Sequence, residues 1–262
     1  MSPTPPVHLF QIAYSPETLA AIEPGYAALD NRANERPDWF EYWPISRHLA
    51  ANTLDEDAFY GFFSPKFGRK TMRSHADVVL FSPQPDMAAF FLNVFEQAET
   101  FDPGLAAAFE AFLEHIGRPV KLGPLVMDSR QIVFSNYFVA RPAFWRAWSA
   151  MADAFFAACE GPASPLQQAL TQPTTYPGAA QRKVFLSERI ASLLLTIEPR
   201  WRSVAADPFN MGWSMSRFRE YPQEAVISDA LKIAFRDQGF PEYLQAFRKV
   251  REHFSAGKPP IA

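Results

Sequence analysis

Three times in this chain a short apolar run stops at a proline and gives way to a helical pattern. His8-Leu9-Phe10-Gln11-Ile12-Ala13-Tyr14 precedes Ser15-Pro16-Glu17, Ala76-Asp77-Val78-Val79-Leu80-Phe81 precedes Ser82-Pro83-Gln84-Pro85, and Ile132 to Ala140 precedes Arg141-Pro142. Proline suits the first turn of a helix, where its missing N–H would have had no partner, and Ser15 supplies an N-cap before Pro16. Short strands that feed helices can return to the same sheet only by crossovers, which makes most of the strands parallel. With Phe59 to Phe63 as a further strand, the expected fold is α/β, a mostly parallel sheet flanked by helices over residues 8–140. A helical C-terminal part follows over 141–254, then a short tail at 255–262, all in one domain.

In the helical part, Phe144, Trp148, Met151 and Phe155 share one face of a helix from Pro142 to Ala158, with Arg146, Ser149 and Asp153 opposite. Single helices are expected over Asp86–Glu99, about Gly104–Ile116, Lys183–Ile197, Ser228–Asp237 and Pro241–His253. Asp30 to Trp43 shows no period and reads as an ordered loop, and the Pro/Gln/Thr-rich stretch from Gly161 to Gly178 reads as a mobile connection.

Composition removes several function classes. A net charge of −3 gives no footprint for nucleic acid. One cysteine, Cys159, rules out an internal disulfide or a cysteine-rich metal site and suits a reducing compartment. No apolar run approaches the roughly 20 residues of a membrane helix, and the N-terminus lacks the pattern of a signal peptide, so a cytoplasmic location is expected. Neither Gly-x-Gly-x-x-Gly, a Walker loop nor Gly-x-Ser-x-Gly occurs, and the five histidines lack metal spacing.

Ligands of open α/β sheets sit at the carboxyl ends of strands, which brings Tyr14, Ser64, Lys66, Ser82 and Asp86 to one edge. Asp86, Asn93 and Gln97 fall at i, i+7 and i+11 of the expected helix, a stripe that serves either solvent or a ligand. Glu188 lies where the polar stripe of its helix meets the apolar face. A carboxylate there is either half of a structural ion pair or a cleft group that binds hydroxyls or acts as a general base. Lys66, Arg69, Lys70 and Arg130 are candidates for neutralising a diphosphate. Asp-x-Asp spacing occurs only at Asp55-Glu56-Asp57, which reads as an exposed acidic turn, and metal ligands stay unassigned.

Three blocks carry a resemblance: Asp30-Asn31-x-x-Asn34 with Trp39 to Arg47 and Tyr60-Gly61-Phe62-Phe63-Ser64-Pro65-Lys66-Phe67; Asn136-Tyr137-Phe138-Val139-Ala140-Arg141-Pro142-Ala143-Phe144; and Val184-Phe185-Leu186-Ser187-Glu188-Arg189-Ile190. In order and spacing they resemble a family of bacterial capsular and cell-wall polysaccharide glycosyltransferases of GT-A type. Where that family has a basic His-Tyr-Arg-Arg, this chain has Ser64-Pro65-Lys66-Phe67. The resemblance implies a GT-A-like sheet, a nucleotide-sugar donor and a surface-polysaccharide or lipid-linked glycan acceptor, met at the inner face of the membrane. It also raises manganese or magnesium as a cofactor. On this reading Tyr14, Asn31 and Asn34 contact the nucleotide and Lys66 its phosphates. Asn136 bonds a sugar, and Glu188 is the acid/base or hydroxyl anchor with Arg189 beside it. Two alternatives stand beside it. One is an inactive glycan-binding or assembly protein on the same fold, with Trp39, Trp43 and Trp213 available for stacking; the other is a hydrolase pairing Glu188 with Asp128.

Overall fold

The structure, a computed structural model, describes residues 5–65, 76–176, 178, 180–257 and 259–260. Among the described residues six strands form one sheet: β1 Val7–Ala13, β2 Ala27–Asp30, β3 Phe59–Phe63, β4 Val78–Leu80, β5 Phe138–Ala140 and β6 Ser203–Ala205. Their spatial order is β2-β1-β3-β5-β4-β6, and only β5 runs against the rest. The fold is therefore α/β with a mixed, mostly parallel sheet flanked by helices, as the strand-to-proline-to-helix pattern implied. Along the first half, α1 Pro16–Ala20 lies between β1 and β2, α2 Tyr42–Ala51 between β2 and β3, and α3 Pro85–Ala89, α4 Val94–Phe101 and α5 Leu105–His115 follow one another between β4 and β5. Beyond β5 the chain is mainly helical: α6 Pro142–Glu160, α7 Pro165–Thr171, α8 Arg182–Glu188, α9 Ile190–Ile197, α10 Pro222–Gln238 and α11 Pro241–Ser255. No helix among the described residues is long and apolar enough to cross a membrane.

The central strand β3 shows how the aromatic richness is used. All five of its residues are buried. Tyr60 and Phe62 join the large core beneath the helices, and Phe59 and Phe63 join a smaller cluster with Tyr26, Val79, Phe81 and Val139 on the other face. That is the period-two alternation of a strand covered on both sides. Gly61 sits in the middle because nothing larger fits: a Cβ there would lie 2.8 Å from side-chain atoms of Phe63 and Val139.

The structure departs from the sequence expectations at several places, and the helix expected over Ser228–Asp237 begins earlier, at Pro222. Asp86–Glu99 is two helices, because the Asn93 side chain caps α4 by accepting from Phe95 N and Glu96 N, while Glu96 accepts from Leu92 N. The polar stripe of Asp86, Asn93 and Gln97 therefore does not exist. The run Ile132–Ala140 is a strand only from Phe138. Upstream, backbone groups of Ile132, Val133 and Phe134 bond to the Ser82 and Ser192 hydroxyls, and Ser135 and Asn136 take positive φ. Lys183–Ile197 is interrupted at Arg189, whose N–H turns back to Leu186 O. The expected mobile stretch 161–178 contains α7, capped by Ser164. The short strands β2 and β6 were not anticipated. Trp39, named as a candidate stacking residue, is buried in the core.

Candidate functional site

At the carboxyl edge of the sheet, β1 ends at Ala13 and delivers Tyr14, β2 ends at Asp30 and delivers Asn31, and β3 ends at Phe63 and delivers Ser64. Because β5 is antiparallel, its entry rather than its exit lies at this edge. Asn136 and Tyr137 arrive there, and the Tyr137 hydroxyl meets Ser64 Oγ at 2.7 Å. The local backbone is unusual: Asn34, Ser135 and Asn136 all have φ between 40° and 55°. Left-handed backbone outside glycine is most tolerable for Asn, and two such residues in succession mark a segment whose surroundings hold it in place.

The carboxylates of Glu41 and Glu188 face this edge. Glu188, the last residue of α8, is partly buried and accepts from the backbone N–H of Ser135. Burial first, and the negative charge of Glu41 second, push its carboxyl up to about 7. Burial also raises Glu41, and its charge in turn raises Tyr14 and Tyr137, whose phenols are held well above their usual range by burial first. These mutual effects identify Glu41, Glu188, Tyr14 and Tyr137 as one electrostatic unit.

Glu41 was not among the candidates. It sits in a stretch without period, and the signal that would have found it is an acid inside the aromatic run Phe40-Glu41-Tyr42-Trp43. The structure explains the surrounding motif. Arg36-Pro37-Asp38-Trp39 ends in a single 3-10 turn clamped from below by buried Lys183, which donates to Asp38 Oδ2 at 2.6 Å and Glu160 Oε1 at 3.0 Å. The Lys183 ammonium lies 4.7 Å from the Trp39 ring centroid, and Trp39 Nε1 donates to Glu160 at 3.0 Å. Arg36 closes the group, 2.8 Å from the same carboxylate. So the N-terminal block and the block ending in Glu188 grip each other at Lys183, and that grip sets Glu41 and Glu188 against one edge.

The site is rich in acceptors. Asn31 and Asn136 are only 1% and 2% exposed, yet the side-chain oxygen of each lacks a hydrogen-bond partner, as does the buried Tyr14 hydroxyl. Unpartnered buried polar atoms are costly and call for an explanation. Asn31 also approaches Asn34, with Nδ2 to Oδ1 at 3.4 Å.

Other sequence candidates are placed elsewhere or spent inside the fold. Asp86 is fully buried, and its carboxylate accepts from Ser214 N at 3.1 Å and from the Ser214 hydroxyl. Arg189 donates to Val94 O, Phe185 O and Gln97 Oε1 at 3.0, 2.7 and 2.7 Å, and burial lowers its guanidinium to about 10. It is the buttress behind Glu188. Asn93 holds the 122–125 turn through carbonyls. Asp128 is fully buried and its carboxylate is ion-paired with Arg130 and Arg236. Lys66, Arg69 and Lys70 lie outside the described residues. Among the described residues no three His, Cys, Asp or Glu side chains gather to hold a metal ion.

No family model, curated protein or solved structure matches this chain.

Proposed function

We propose that this chain is a glycosyltransferase, moving a sugar from a nucleotide-sugar donor to a bacterial surface polysaccharide or lipid-linked glycan. The observation that carries the reading is the set of acceptors at the sheet edge: Asn31 Oδ1, Asn136 Oδ1 and Tyr14 Oη, buried and unpartnered, beside the Glu41 and Glu188 carboxylates. A ligand with several hydroxyl donors satisfies such a set, and a sugar is the natural one. The strand-end position and the mostly parallel sheet suit a nucleotide-binding α/β fold of the GT-A kind.

In this mechanism a hydroxyl of the acceptor attacks the anomeric carbon of the donor and forms the new glycosidic bond. The bond from that carbon to the phosphate oxygen breaks, and its electron pair leaves with the nucleoside diphosphate. Glu188 takes the proton from the attacking hydroxyl. A carboxyl held near 7 is suited to that task at neutral pH, and the Ser135 N–H fixes its orientation. Tyr14, Asn31 and Asn136 orient the sugars, so much of the rate enhancement comes from positioning. Arg189 contributes by holding the end of α8 and not by touching phosphate.

A second reading, a glycan-binding protein without transfer chemistry, draws support from Arg189, whose donors are spent on protein acceptors. Thermal stability against UDP, GDP, CMP and dTDP sugars, with and without manganese, separates the two. A ligand at 100 times its Kd adds about 2.7 kcal/mol. A selective rise with one nucleotide class is expected; no rise with any of them in a folded sample refutes the transferase reading.

A further inference from the structure

Phe40 directly precedes Glu41 and breaks two rules of economy at once. Its ring is 49% exposed, and its backbone has φ 46° and ψ −126°. That combination belongs to the first central position of a type II′ turn, where glycine is the ordinary occupant because a Cβ is strained there. The other non-glycine residues with positive φ among the described residues are Asn34, Gln84, Ser135, Asn136 and Asp207, all polar. The other exposed large apolar residues, among them Phe101, Tyr176 and Phe240, have ordinary φ. Among the described residues, only at position 40 do an exposed aromatic ring and a strained backbone coincide.

Packing does not explain the residue, because half the ring is in solvent. Turn chemistry does not explain it either, because glycine or asparagine would serve better. The neighbours on both sides are fixed: Trp39 is anchored in the core through Glu160 and Lys183, and Glu41 begins α2, its carbonyl accepting from Ile45 N. The chain between them has no slack, and Phe40 is the residue that hands the backbone from the Trp39 anchor to Glu41. Strain of this kind, kept directly before a carboxylate whose charge reaches Tyr14, Tyr137 and Glu188, points to a ligand.

Building on the reading that the sheet edge binds sugar, we infer that Phe40 is a stacking platform for the apolar face of a pyranose ring. The hydroxyls of that ring would be held by Glu41, Glu188 and Asn136. A sugar ring has an equatorial rim of hydroxyls and faces of C–H bonds, so a carboxylate beside an exposed aromatic face matches both parts of one ligand.

The test is saturation-transfer NMR with methyl β-D-glucopyranoside, methyl β-D-galactopyranoside and methyl N-acetyl-β-D-glucosaminide. It compares wild type with Phe40→Gly, Phe40→Trp, Glu188→Gln and Phe240→Ala. Phe40→Gly removes the ring and relieves the strain, so its unfolding midpoint should equal or exceed wild type while glycoside binding weakens about threefold to tenfold. Phe40→Trp keeps a stacking face and should bind within about twofold of wild type. Phe240→Ala, which removes an exposed ring at the junction of α10 and α11, should change nothing. If Phe40→Gly binds as wild type while Glu188→Gln loses binding, the platform is refuted and the sugar site stands. Loss of binding in both Phe40→Gly and Phe40→Trp also refutes stacking. If wild type binds none of the three glycosides, the sugar-site reading fails and takes the platform with it.

Discussion

The Glu188→Gln variant should separate from wild type as pH rises, by an amount the structure sets. Burial and the Glu41 charge lift the Glu188 carboxyl from its ordinary value of 4.5 to about 7. Ionising it inside the fold therefore costs more than ionising it in the unfolded chain. At about 1.36 kcal/mol per pH unit the full effect is about 3 kcal/mol, reduced to about 2–3 kcal/mol because the residue is partly open to solvent. The sign follows from proton binding. Between about pH 4.5 and 7 the folded chain holds more of the proton than the unfolded chain, so wild type loses stability as pH rises through this window. Stability present below 4.5 is gone above 7. The amide that replaces the carboxyl cannot ionise, so Glu188→Gln lacks that loss. Urea unfolding at pH 4.5, 5.5, 6.5 and 7.5 should show the difference, variant minus wild type, growing by about 2–3 kcal/mol in favour of the variant. In thermal scans the same gain is about 5–10 °C. Groups whose pKa values do not depend on Glu188 cancel in the comparison. A difference that stays flat across the four pH values would refute the placement of Glu188 in desolvated surroundings beside the Glu41 charge.

Three further outcomes follow from the geometry. Asn136→Gly removes the amide but suits φ 53°, so the midpoint of unfolding should hold or rise while sugar binding weakens, read by calorimetry. Gly61→Ala drives a methyl to within 2.8 Å of Phe63 and Val139 and should cost about 1–3 kcal/mol in urea unfolding. Lys183→Met keeps the buried stem but deletes the bonds to Asp38 and Glu160 and the contact with Trp39. It should cost about 1–3 kcal/mol, and it should weaken sugar binding because Glu41 loses its anchor.

Much of the fold is written in local signals. Each strand-to-proline-to-helix junction identified from sequence forms as such, and the apolar run Phe59–Phe63 is the buried central strand. What escaped was decided by single side chains acting on backbone. Asn93 splits a helix because its oxygen caps the second half, and the Ser82 and Ser192 hydroxyls take the backbone groups that a longer β5 would have used. β2 and β6 are too short to show a period, and they exist because β1 and β4 offer an edge. At the site, Tyr14, Asn31 and Asn136 come to one edge of the sheet by strand-end logic, and Glu188 accepts from Ser135 beside Asn136. Glu41 and Phe40 stayed hidden because their significance depends on a clamp between residues 36–39 and 183, about 145 positions apart, which no window of sequence reveals.

The central claim, that the carboxylates at the sheet edge grip the sugar of a nucleotide sugar, is tested by calorimetry. The nucleotide sugar giving the largest thermal shift is titrated beside its bare nucleoside diphosphate, into wild type and into Glu188→Gln. The sugar should add affinity in wild type, and most of that increment should vanish in the variant while affinity for the nucleoside diphosphate is kept. An increment that survives in Glu188→Gln, or a nucleotide sugar that binds wild type no better than its nucleoside diphosphate, would contradict the account.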